Sequence, residues 1–258
     1  WFEWQGNPAP RVHPAGVGML NAVGLQGGGI ERWLDAELPP LIDTGARVVA
    51  SIWGKSVEDY RRAADLVAAA PPEVIAVEVN LSCPNLEGRR GIFAHDPEVS
   101  GAVIEAAARC GRPMWAKLSP NTDRVVEVAG VVHQAGAEAV TLINTLLGMV
   151  LDPETLRPAL GAGGGGLSGQ GIHPVAVRIV YDVRAAHPTL PIVGVGGVSC
   201  GWDGIELMAA GAQAVGIGTA SFADPRAGAL VGREMIAWLE QRDHGSFADV
   251  LNASHRPV

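Results

Sequence analysis

The sequence predicts an α/β fold, a (β/α)8 barrel from which the first one or two strands are missing. Three observations carry this expectation. Short β-rich runs alternate with amphipathic helices from Arg47 onward. The runs are apolar almost throughout, as strands covered on both faces must be. Each crossover is long enough to be a helix, which makes the pairing parallel. An open doubly wound sheet satisfies the same pattern.

The elements follow in order. "RVVASIW" (47–53) precedes a helix over about 56–70, and "VIAVEVNLS" (74–82) one over about 96–110. "PMWAKLS" (113–119) is followed by a helix over 122–135. "AVTLINT" (139–145) is followed by a long insertion and then a helix over 173–186. "PIVGVGGV" (191–198) leads into 201–210, and "AVGIGT" (214–219) into 224–241. In each unit a period near two gives way to one near 3.6. A further helix, about 29–41, precedes the first strand. Asp96-Pro97, Thr122 and Asp224-Pro225 are start signals. Gly111, Gly136 and Gly211 stand where a left-handed residue ends a helix.

Composition narrows the function. The 258 residues are 48% apolar with 34 glycines, which suits one globular domain spanning 1–258 with many tight turns. A net charge of −8, with no extended Lys/Arg run, argues against nucleic acid or an anionic membrane as partner. No apolar run reaches the roughly 18 residues of a membrane span. Cys83, Cys110 and Cys200 show neither a disulfide framework nor metal spacing, which suits a reducing compartment such as the cytoplasm. The chain opens "WFEWQGNPAPR" without a methionine.

Barrel chemistry gathers at the C-terminal ends of the strands. Those ends carry Ser51, then Asn80 and Cys83, then Lys117, Asn144 and Thr145. Gly196-Gly197 and Gly218-Thr219 follow. This rim of amides, hydroxyls, a lysine, a thiol and bare backbone holds no carboxylate pair and no metal-ligand spacing. The glycine turns suit a phosphate at helix N-termini, or serve simply as tight turns. "GAGGGGLSGQG" (161–171) reads as a second anion nest or a flexible loop. Lys117 points into the barrel toward an electron-rich partner, or snorkels outward. As a Schiff-base amine it would suit an aldolase or isomerase. His13, His95 and His173 fall at loops or caps and read as surface or capping residues.

The motifs "GMLNAVGLQ" (18–26), "VNLSCPN" (79–85), "KLSPN" (117–121), "INTLLGM" (143–149), "GGLSG" (165–169), "GVGGV" (194–198) and "GTA" (218–220) occur together and in order. In this combination the chain resembles the class 1 dihydroorotate dehydrogenases, and "NTLLGM" resembles their NAD-linked subclass, 1B. The resemblance implies a barrel with FMN at its mouth, oxidising dihydroorotate to orotate in pyrimidine synthesis. It makes Cys83 the base while hydride passes to flavin N5. Asn21, Ala22, Val23, Gly24, Leu25, Asn80, Asn144 and Thr145 would bind the pyrimidine. Ser51, Asn80, Lys117 and Ile143 would lie at the flavin. Gly169, Gly196, Gly197, Gly218 and Thr219 would hold its phosphate.

The chain carries no dinucleotide fingerprint and no iron–sulfur spacing. The resemblance therefore implies a partner subunit bearing FAD and an iron–sulfur cluster, beside a homodimer of this chain. A fumarate-linked enzyme, a dihydropyrimidine dehydrogenase-like flavoenzyme and an inactive truncated barrel acting as a binding partner are the alternatives. Upstream of "GNPAPR" the family has a strand ending in a lysine that is not in this sequence. "LSGQG" and "LQGGG" depart from the family's usual loops, which predicts two looser segments.

Overall fold

The computed structural model describes residues 1–82, 84–85 and 91–257; for Pro84, Asn85, Gly91 and Ile92 it describes the backbone only. In chain order, β1 (Glu3–Trp4), β2 (Val12–Ala15), β3 (Gly18–Asn21) and β4 (Gly27–Gly28) lead into α1 (Ile30–Arg32) and α2 (Leu38–Asp43). Then come β5 (Val48–Ile52), α3 (Val57–Val67), β6 (Val74–Asn80), β7 (Pro84–Asn85), β8 (Gly91–Ile92) and α4 (Pro97–Ala107). β9 (Met114–Lys117), α5 (Val125–Gln134), β10 (Ala139–Leu142), β11 (Leu146–Gly148) and β12 (Gly165–Gly169) follow. α6 (His173–Ala186), β13 (Ile192–Val195), α7 (Gly201–Ala210), β14 (Ala214–Gly216), α8 (Ala220–Ala223) and α9 (Ala227–Glu240) complete the chain. All six expected strands and the helices between them are present.

The chain divides into two compact units, Trp1–Asn7 with Val23–Val140, and Pro8–Ala22 with Thr141–Val258. In the first unit β5, β6 and β9 pair in parallel, with Ser51 opposite Glu78, Glu78 opposite Trp115 and Asn80 opposite Lys117. Alternation along a strand sends the two faces to different surroundings. Ala50, Ile52, Val77, Val79, Met114 and Ala116 are buried. The other face carries Ser51, Asn80 and Lys117, which remain partly or fully exposed. The apolar stripes of α3 (Tyr60, Ala63, Ala64, Val67) and α4 (Val103, Ile104, Ala107) are likewise buried. Gly101 lets α4 and α5 approach closely, since a Cβ there would lie 3.2 Å from Val131.

In the second unit β13 and β14 pair in parallel. A four-stranded antiparallel sheet, in the order β11-β12-β3-β2, joins the hairpin of residues 12–21 to the glycine-rich segment. Leu20, Ala22 and Leu160 form a small core of its own, flanked by Ala15, Val150 and Leu167. This sheet was not expected. "GGLSG" is a paired strand rather than a flexible loop, because β3 and β11 satisfy its backbone on both edges.

Helix boundaries follow their caps. Asp96 accepts from the N–H groups of Glu98 and Val99 at the start of α4, as its sequence signal requires. Gly111, Gly136 and Gly211 adopt φ of +62°, +110° and +128° after their helices. Thr122 is displaced from its expected role: it bonds Arg124 N in a turn, and α5 starts at Val125. Asp224 closes α8 and its carboxylate bonds Arg226 N ahead of α9.

Arg184 ties the end of α6 to the end of α7. Its guanidinium is buried and donates to the carbonyls of Gly211 (2.8 Å) and Pro188 (2.6 Å) and to Gln213 Oε1 (2.9 Å). Arg184→Met fills the volume but leaves the buried Gly211 carbonyl without its guanidinium donors, while Gln213 Oε1 keeps Ile192 N. We expect a loss of about 2 kcal/mol in a urea unfolding curve, since an orphaned buried group costs roughly 1–3 kcal/mol.

Candidate active site

In the first unit the strand ends supply the polar groups. Asn80 terminates β6 beside Lys117 of β9. Its carbonyl accepts from the buried Tyr60 hydroxyl at 2.7 Å, and its Oδ1 accepts from Ser82 N at 3.1 Å. Tyr60 is in turn held edge-on to Phe93, with ring centroids 5.5 Å apart. These contacts fix the backbone leading to residue 83. Cys83, the expected base, lies outside the described residues. The Lys117 carbonyl accepts from Leu81 N, so the β6 and β9 ends stay in register past the last ladder pair.

Ser51 is exposed on β5 and shares with Leu25 a cleft of about 390 Å³, walled also by Gly27–Gly29 and Trp53. Val23, Gly24 and Leu25 form a turn in which Gly24 and Leu25 take φ of +75° and +61°. The Gly24 carbonyl accepts from Trp4 Nε1 at 3.0 Å, and the Val23 carbonyl from Asn7 N at 3.0 Å. "LQGGG" is not loose: Gly27 and Gly28 pair with Trp4 and Glu3.

In the second unit Asn21 ends β3 and Ala22 N donates to the Arg11 carbonyl. Ile143 is buried and its N–H donates to the Val195 carbonyl at 2.7 Å. Asn144 Oδ1 accepts from Thr145 N at 2.8 Å. The Thr145 side chain sits so close to β12 that a Cβ on Gly166 would lie 2.0 Å from its hydroxyl. Asn21 Nδ2 reaches the Gly166 carbonyl at 3.4 Å from the other side of the strand.

The glycine turns of this unit converge. Gly169 (φ +94°), Gly196 (φ +141°) and Gly197 (φ +70°) hold conformations that L side chains rarely adopt. A Cβ on Gly197 would lie 2.9 Å from the Gly169 carbonyl, and one on Gly169 would lie 3.6 Å from Thr219 Cγ2. Thr219 Oγ1 donates to Ser168 Oγ at 2.8 Å. Gly169, Gln170, Ser199 and Thr219 wall one end of an open cleft. Gly218 has open space around it. "LSGQG" is tied down, since Gln170 Nε2 donates to Ser199 Oγ at 2.9 Å.

Beneath the Gly196-Gly197 turn lies a polar network. Asp203 accepts from Ser199 N, Cys200 N and Ser199 Oγ at 2.8–3.0 Å, capping α7. Burial pushes its carboxyl up, but these hydrogen bonds and the neighbouring His173 together hold it below the usual carboxylate range. A depressed native pKa stabilises the fold above the unfolded value of about 3.9, and that contribution disappears as pH falls through the native one. Asp203→Asn should therefore show a shallower acid-side loss of thermal stability than the wild type.

Sequence reasoning missed Ser168, Ser199 and His173. Expected at the surface or as a cap, His173 is instead buried, 7% exposed. Among the described residues no cluster of His, Cys, Asp and Glu could hold a metal ion. No helix among them is long and apolar enough to cross a membrane.

A family profile described as dihydroorotate dehydrogenase matches residues 3–239. This chain belongs to the dihydroorotate dehydrogenase family. It is similar to the dihydroorotate dehydrogenase B (NAD(+)) catalytic subunit of Bacillus cytotoxicus, 40% identical over 98% of this chain and 82% of the relative. Proteins of the same name from Anoxybacillus flavithermus (43% identical, 92% of this chain, 75% of the relative) and Geobacter sp. strain M21 (41%, 96% and 81%) are also similar. The family is a TIM barrel, and the parallel strand–helix repeats of both units belong to that class.

Dihydroorotate dehydrogenases imply FMN, and the residues present fit its phosphate. The left-handed turns at Gly169 and Gly197 leave backbone without side chains where loops meet, and the Thr219 hydroxyl stands beside them. Bare N–H groups near helix starts are the usual donors to a phosphate monoester.

Proposed function

We propose that this chain is the catalytic subunit of an NAD-linked dihydroorotate dehydrogenase, acting in pyrimidine biosynthesis in the cytoplasm, with residues 1–258 working as one FMN-binding domain. The observation that carries the reading is the strand-end pair: Asn80 and Lys117, both partly exposed, stand opposite one another on adjacent strands, and Asn80 lies three residues before Cys83. FMN, when bound, supplies the two-electron acceptor for the hydride leaving C6 of dihydroorotate.

The chain's own residues do the rest. Cys83 takes the proton from C5. An ordinary thiol near pKa 8.5 is only a few per cent thiolate at neutral pH, so the base requires an enclosed polar setting. Asn80, with its carbonyl held by Tyr60, orients the pyrimidine together with Asn144, Thr145 and the segment Asn21, Ala22, Val23, Gly24, Leu25. Lys117, Ser51 and Ile143 would hold the flavin ring, where the lysine's charge would favour electron uptake. Gly169, Gly196, Gly197, Gly218 and Thr219 hold the phosphate. The chain works as a homodimer with a separate electron-transfer subunit carrying FAD and an iron–sulfur cluster.

The test is anaerobic addition of dihydroorotate to flavin-loaded protein. Bleaching of the visible flavin band is the expected result; a band that stays unchanged overturns the reading. Recovery of the band on adding NAD with the partner subunit separates the NAD-linked enzyme from one reoxidised by fumarate.

A further inference from the structure

His173 is the first residue of α6, followed by Pro174, and its ring lies under the Gly196-Gly197 turn. Nδ1 is 2.8 Å from the Gly196 carbonyl, and Nε2 is 3.1 Å from Glu206 Oε2. Asp203 Oδ1 lies 3.9 Å from Nε2. A neutral imidazole donates through one nitrogen and accepts through the other. Here both nitrogens face oxygens that only accept, a carbonyl on one side and a carboxylate on the other. The arrangement is satisfied when both nitrogens carry protons.

The turn rests directly on this residue. A Cβ on Gly197 would lie 2.7 Å from His173 Cβ and 3.0 Å from His173 N. The ring thus connects three elements, with α7 supplying the carboxylates, α6 the imidazole and the end of β13 the carbonyl. We propose that His173 is a positioning residue for the flavin phosphate turn, a buried imidazolium clamped between Glu206 and the Gly196 carbonyl. It fixes the direction of the left-handed Gly197 backbone and places a positive charge beneath the anion site. The inference rests on the flavoprotein reading and adds a residue to it.

The test has two parts. A long-range proton–nitrogen spectrum of the flavin-loaded wild type should show both ring nitrogens of His173 protonated, assigned by the resonance absent from His173→Gln or His173→Lys. FMN affinity, read by fluorescence quenching, should fall about tenfold in His173→Gln, the scale of one charge-assisted hydrogen bond. His173→Lys, which keeps the charge and can donate to both oxygens, should stay within about threefold of wild type on the same reasoning. If His173→Gln does not fold, the lysine variant and the wild-type spectrum decide. A bare Nε2, or equal FMN affinity in folded wild type and His173→Gln, overturns the inference alone. Wild type that quenches no FMN fluorescence overturns the flavoprotein reading and this inference with it.

Discussion

Cys83→Ser is expected to bleach its flavin with dihydroorotate about 10³-fold more slowly than wild type, within the usual range of general-base contributions. A serine hydroxyl keeps the size and donor character of the thiol but is a far poorer base at neutral pH. FMN affinity should be unchanged, because the turns proposed for the phosphate lie elsewhere in the chain. Raising the pH should speed the wild type as the thiolate fraction grows, while the serine variant stays flat over the same range. Equal bleaching rates in the two proteins would remove Cys83 from its proposed role.

Gly197→Val should cost the protein its flavin. The position combines φ of +70° with three neighbours inside 3.1 Å: His173 Cβ, the Gly169 carbonyl and His173 N. A β-branched residue is strained there by about 1–3 kcal/mol from backbone conformation alone. Backbone atoms of two other segments block the side chain as well. We expect FMN affinity to fall by about 100-fold or more, together with a lower melting temperature. Gly228→Ala is the matched control. Gly228 lies exposed in α9 with open space around it, so alanine should retain FMN and gain up to about 1 kcal/mol of helix stability. Normal flavin retention in Gly197→Val would show that the turn does not approach the phosphate.

The parallel repeats were legible because their signals are local. Val74–Asn80 and Ile192–Val195 are apolar runs ended by polar or glycine residues, and Gly111, Gly136 and Gly211 mark helix ends by conformations only glycine adopts easily. Asn80, Lys117 and the glycine turns were legible for the same reason, standing where such runs stop. The antiparallel sheet was hidden. Gly165–Gly169 contains no β-branched residue, and its ladder with β3 depends on a partner far away in sequence. His173 was hidden by its place before a proline at a helix start, where a polar residue reads as a cap. Only the later Gly196 carbonyl and Glu206 explain its burial. Thr122 looked like a cap because hydroxyls serve turns and helices alike; the competing turn to Arg124 won.

The pairing of β3 with β12 also bears on how the protein is made. Ser168 reaches the Met19 carbonyl across 149 residues of chain, so the early hairpin leaves the ribosome long before its neighbour exists. During that interval one edge of Gly18–Asn21 offers unsatisfied N–H and C=O groups to any extended segment nearby. Nascent chains halted before Gly165 should accordingly bind holdase chaperones and aggregate, whereas release past Gly169 lets the ladder close.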